Sequence, residues 1–249
     1  INVLILAPLL AMLAVLLSGG LPVLATYTQV FMKSLGGYVI TYFPLFLLGA
    51  IFGKVMADGG AARTIAERIV DWVGAGRAIL AVVLACGVLT YGGVSLFVVA
   101  FAIYPIANAL FRRADVPKRL LPAAIALGSF TFTMTAFPGT PAIQNAIPIP
   151  FFGTNVFAAP LFGTLAGVIM LGGGTLWLNR RRASAQGRGE GYGEHDSTGA
   201  DSTLPSDVKL PNFAVAIAPV VAVIGLNALF TYVLIPMMSA DYLAEPQYG

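Results

Sequence analysis

Charge is what this sequence has least of. Of 249 residues, 14 are Lys or Arg and 11 are Asp or Glu, so 10% are charged against 58% hydrophobic, and the mean hydropathy is +0.86. Soluble domains carry about 25% charged residues. A soluble globular fold is therefore excluded, and the lipid bilayer is the first partner to expect. The small basic excess is dispersed over loops, so no nucleic-acid partner is expected. Cysteine is limited to Cys86, which excludes an internal disulfide. Histidine is limited to His195, in a polar segment with no second His and no Cys to partner it, whereas a structural or catalytic metal needs three or four ligands. There is no P-loop, no Ser/His/Asp grouping and no Cys/His spacing. Gly74-Ala75-Gly76 is too little for a nucleotide fingerprint. An enzyme, an ATP-driven pump, a metal site and a bound cofactor are all unexpected on these grounds. The chain has no N-x-S/T sequon. It opens apolar at Ile1 without a basic n-region or a cleavage site, so its start is no signal peptide. With its abrupt close at Tyr248-Gly249, it reads as an internal piece of a longer protein.

Apolar length is abundant instead. A spanning helix needs ~20 mostly apolar residues, and the pattern predicts an all-α polytopic membrane protein with spans over about 3–17, 38–56, 120–136 and 156–178. Ser18-Gly19-Gly20 ends the first, and Leu21–Gly37, with Lys33, reads as a connector. The second carries Pro44 and Gly49-x-x-x-Gly53, a spacing that lets helices approach closely. Ala57–Gly76 has Ala62, Ile65, Ile69, Trp72 and Val73 on one helical face and Arg63, Glu67, Arg68 and Asp71 on the other. It reads as an amphipathic helix in the interface, with Trp72 at headgroup depth. Residues 78–111 are too long for one span and too short for two. Thr90-Tyr91-Gly92-Gly93-Val94-Ser95 interrupts them, so they form either a re-entrant hairpin with that tip near the midplane or two short tilted spans. The polar segment 179–210 reads as a disordered loop. Residues 211–249 supply a further span, Phe213–Pro236, and a loop.

The most informative stretch is Ser129–Phe152. Pro138, Pro141, Pro148, Pro150 and Gly139 fall between two apolar runs, among Thr133, Thr135, Thr140, Gln144 and Asn145. Proline removes a backbone donor and disrupts the preceding turn. Such backbone is tolerated at membrane depth only where protein buries it or a wet cavity borders it. Secondary transporters place substrate and coupling ion at breaks of this kind. Thr131, Thr133 and Thr135 alternate with larger apolar residues, which predicts helix giving way to extended backbone. The apolar segments hold no deep Asp, Glu, Lys or Arg, so either the proton carrier lies in a missing part or coupling uses a cation held by carbonyls and hydroxyls, and the ligands on offer here are neutral. The candidate substrate-binding residues are Thr90, Tyr91, Gly92, Gly93 and Ser95 at the tip, with Thr133, Thr135, Gly139, Thr140, Gln144 and Asn145 in the break. Half-helix N-termini there would offer N–H groups to a carboxylate. Tyr104 and Asn108 serve either the site or interhelical packing.

Orientation follows from Lys and Arg. Segments 54–77, 112–119 and 179–210 hold four, four and five of them, leaving only Lys33 outside. Putting the basic loops 57–77, 112–119 and 179–210 in the cytoplasm lets every span alternate. The runs TYFPLFLLGAIFGKVMADGGAARTIAERIV (41–70) and LTYGGVSLFVVAFAIYPIANALFRRADVPKRLLPAAIALGSFTFTMTAFPGTPAIQNAIP (89–148) resemble the GntP-type gluconate permease family, within a wider superfamily of ion-coupled secondary carriers. The resemblance implies a bacterial inner-membrane symporter for a small organic or sugar acid, coupled to H+ (or Na+). It also implies inverted repeats, each with a hairpin, of which this chain would be one half, and a homodimer. A cation/proton antiporter of the same superfamily and a non-transporting membrane subunit stand as alternatives. Where gluconate-type members carry an acidic residue beside the hairpin motif, this chain reads Leu96-Phe97-Val98-Val99.

Overall fold

Backbone in lipid must satisfy its own hydrogen bonds, so apolar runs become helices. A computed structural model describes residues 3–20, 22–193 and 210–238, and every regular element among them is helical. The chain divides into two units, Ile1–Leu48 and Gly49–Gly249.

The first unit holds α1 (Val3–Ser18) and the larger part of α2 (Val23–Asp58). The expected connector Leu21–Gly37 is instead helical from Val23 onward. Its polar groups are absorbed locally: the Thr26 and Thr28 hydroxyls donate to the carbonyls of Pro22 and Leu24, each at 2.9 Å. Tyr27 stacks on Phe31 at 5.4 Å, and Tyr38 packs on Tyr42 at 4.9 Å.

The second unit centres on α4 (Ala78–Tyr91), whose Ala81, Val82, Val83, Ala85 and Cys86 are wholly buried. A helix apolar all round belongs in an interior, and α3 (Ala61–Val73), α5 (Leu96–Arg113) and α6 (Leu121–Phe130) pack around it. Gly128 sets the α6 approach, since a Cβ there would lie 2.5 Å from the Val83 carbonyl oxygen. Three short helices follow, α7 (Phe132–Thr135), α8 (Ile143–Ala146) and α9 (Ile149–Phe152), then the long α10 (Pro160–Gln186) and α11 (Phe213–Met237).

Three helices, Val23–Asp58, Pro160–Gln186 and Phe213–Met237, are long and apolar enough to cross a membrane. A fourth span results if α3 and Ala75–Tyr91, bent by 100° about Gly74, count as one. α4 and α5 have 14 and 18 residues. At 1.5 Å per residue they run roughly 21 and 27 Å, short of the ~30 Å core.

Three further expectations need correction. α3 does not lay its apolar face on lipid: Ala61, Ala62, Ile65, Ala66 and Ile69 are buried in protein, against α4 and α11. Periodicity reports that a face is covered, not by what. Trp72 stays exposed, edge-on to Phe213 at 5.5 Å with Arg68 over its ring. Thr131–Thr135 is not extended: one non-helical residue, Thr131 (φ −114°, ψ −108°), separates α6 from the turn of α7. Its threonines return their hydroxyls to backbone carbonyls, which a helix allows and a strand does not. The polar loop begins later than 179, because Asn179–Gln186 continues α10 and contains Arg, Ala and Gln, all compatible with helix. Residues 194–209, with His195, and the tail after 238 lie outside the described residues.

Candidate functional site at the hairpin tip and the helix break

The tip is shaped by how α4 ends. Gly93 takes φ +91°, its N–H reaches the Thr90 carbonyl at 3.0 Å, and the Val94 N–H reaches the Leu89 carbonyl at 3.1 Å. That paired closure is the Schellman motif, which places glycine at the left-handed residue. Ser95 then starts α5 without capping it through its side chain, so the first N–H groups of an 18-residue helix point at the tip without that partner.

The break comes to meet this tip. The Tyr91 hydroxyl donates to the Pro138 carbonyl at 2.7 Å, and its ring meets Phe137 edge-on at 6.1 Å. A Cβ on Gly93 would lie 2.9 Å from Pro141 Cγ, so the two irregular segments touch. Gly139, at φ +84°, donates its N–H to the Val156 carbonyl at 2.8 Å and accepts from Asn227 Nδ2 at 3.2 Å. α10 supports the break from behind: Gly163 faces the Ala136 carbonyl and Gly167 the Phe137 ring, each so closely that a Cβ would collide. α11 closes another side, with Val220 against Gly92.

The eleven sequence candidates separate by environment. Thr90 and Thr140 are buried, and neither hydroxyl has a hydrogen-bond partner among the described residues. Thr131, Thr133, Thr135 and Thr164 return the hydroxyl to a preceding carbonyl, Thr164 to Pro160 at 2.7 Å, whereas Thr175 in α10 shares the unmet state. An unmet buried hydroxyl costs about 1–3 kcal/mol. Thr133 is buried but donates to the Gly128 carbonyl, and Thr135 is exposed and donates to the Thr131 carbonyl. Asn145 reaches the Thr140 carbonyl only at 3.5 Å, and Gln144 is exposed. Gly92 is buried at the tip, Gly93 and Ser95 half-buried. Sequence reasoning missed Asn227, which bonds the break from α11. Its signal was a lone amide in an apolar span, where polar side chains usually find a helix neighbour. Asn108, near the other end of α5, accepts from the Tyr192 hydroxyl.

Apolar helices of spanning length together with a broken helix define a polytopic helical membrane protein. The family model described as GntP family permease matches residues 2–244, so the chain belongs to the GntP permease family. A Bacillus subtilis (strain 168) protein described as the uncharacterized transporter YxjC is 50% identical over 236 residues, which is 92% of this chain and 50% of that protein. A Haemophilus influenzae protein described as an uncharacterized transporter is 30% identical over 197 residues, 78% of this chain and 44% of that one. The chain thus spans about half the length of the curated relatives it matches. No solved structure matches.

Proposed function

We propose that this chain is the tip-and-break half of a secondary active transporter, a symporter that moves a small organic or sugar acid with H+ or Na+. The observation that carries the reading is the contact of Tyr91 and Gly93 with Pro138 and Pro141, which joins two non-helical segments beside two buried hydroxyls without partners. In this reading Thr90 and Thr140 donate to the substrate, and the N–H groups at the start of α5 face its carboxylate. Segments 78–111 and 120–152 contain no Asp, Glu, Lys or Arg, so these neutral donors do the work of an arginine. The pair α4–α5 acts as a re-entrant hairpin, in keeping with helices shorter than the bilayer core. The remaining length of the relatives is assigned to an inverted second repeat, and the working carrier to a homodimer in the bacterial inner membrane with the basic segments 57–77, 112–119 and 179–210 cytoplasmic.

Uptake into proteoliposomes tests this. With labelled gluconate and a panel of small hydroxy acids as probes, an inward H+ or Na+ gradient should raise initial uptake at least about fivefold over gradient-free vesicles. Cation exchange without any acid uptake would favour the antiporter instead, and no flux of either kind would leave a non-transporting subunit.

A further inference from the structure

The segment after α10 reads Gly187-Arg188-Gly189-Glu190-Gly191-Tyr192-Gly193, with a glycine at every second position. Composition marks it as linker, yet it is held at many points. Tyr192 is 6% exposed, its hydroxyl donates to Asn108 Oδ1, and its N–H donates to Asp115 Oδ1 at 2.8 Å. Arg112 and Lys118 lie over its ring at 5.5 and 5.9 Å. Arg119 grips Glu190 with both Nε and Nη2, the second at 2.7 Å, and Gln186 Nε2 donates to the Asp115 carbonyl at 3.3 Å. At Gly191 a Cβ would collide with the Asp115 carboxylate. Glycine here is a packing requirement and not a sign of slack.

The anchor points fall on the far end of α5 and the turn after it, 108–119. The near end of α5 is the tip. α10, from which the segment departs, backs the break through Gly163 and Gly167. The chain leaving the element that supports the break is therefore hydrogen-bonded to the opposite end of the arm carrying the tip. We propose that Gly187–Gly193 is a clasp that fixes α5 against α10, and that its release loosens the tip from the break. Its bearing on transport rests on the reading above, but the clasp itself does not.

Hydrogen exchange on the full chain in lipid nanodiscs tests the clasp without any substrate. Gly191→Ala should raise exchange of the Tyr192 amide and of residues 112–119 at least about tenfold, and exchange of the Gly92, Gly93 and Val94 amides at least about threefold. The α4 amides between Ala81 and Leu89 should stay protected, reporting an intact core. Tyr192→Phe, which keeps the ring and loses the hydroxyl, should show the same pattern more weakly. Exchange of Tyr192 in the unmodified chain as fast as in an unstructured peptide would overturn the proposal. So would a tip unchanged when the clasp is lost. In parallel, gluconate counterflow should change at least about threefold in both variants; an unchanged rate beside a loosened tip would overturn the clasp's bearing on transport and uphold the clasp. No flux in the unmodified chain would count against the transport reading alone and leave the exchange result to decide.

Discussion

Single residues decide where this molecule can open. Tyr91 both bonds the Pro138 carbonyl and packs on Phe137, so Tyr91→Phe keeps the ring contact and removes this donor from a half-buried carbonyl. The expected loss is about 1 kcal/mol, seen as a lower thermal midpoint in detergent with the fold retained. An unchanged midpoint would mean that the tip is not held to the break by this bond. At this scale much was legible. The Pro/Thr/Gly composition of 133–145 announced the break, and the Gly-Gly pair announced the tip. The partners were not legible. Nothing in the sequence says that Thr133 and Thr135 spend their hydroxyls on their own backbone while Thr90 and Thr140 do not, because that depends on where Thr131 leaves the helix.

At the scale of elements, hydrophobic length was a faithful guide to helices and a poor one to their surroundings. Residues 23–37 looked too polar for a span because hydroxyls count as polar until a carbonyl four residues back absorbs them. α3 looked interfacial because a one-sided apolar stripe fits lipid and protein alike. The clasp was invisible, since glycine chosen to admit the Asp115 carboxylate looks like glycine chosen for freedom. Its acid response follows from Glu190. The Arg119 guanidinium bonded to it holds this carboxyl below the ordinary carboxylate range, and Arg119 is raised in turn by the same bond. A carboxylate with a depressed value in the folded state contributes above the unfolded value and stops contributing as pH falls through the folded one. The protection factor of the Tyr192 amide should accordingly be flat from neutral pH to the ordinary carboxylate range and fall below it. In Glu190→Gln it should be lower at neutral pH and lose that acid step, so that the two curves converge at low pH. An acid step that persists in Glu190→Gln would assign it to another group. The pair is exposed, so salt should weaken it in the same direction.

At the scale of the whole molecule, the second unit is a buried helix, α4, wrapped by α3, α5 and α6, with lipid-length helices carrying exposed apolar side chains such as Phe162, Ile169 and Val221. Membership of the GntP permease family and the likeness to two uncharacterized transporters fit that build. The central claim is narrower: the junction of tip and break receives an anionic ligand through the Thr90 and Thr140 hydroxyls. Equilibrium binding of labelled gluconate and related hydroxy acids to the purified chain, unmodified and as Thr90→Val, Thr140→Val and Thr135→Val, addresses it most directly. The account predicts that the first two variants weaken the tightest-binding acid at least about tenfold and that Thr135→Val, whose hydroxyl is already engaged, stays within about twofold. Equal affinity in Thr140→Val and the unmodified chain, with the fold intact, would contradict it.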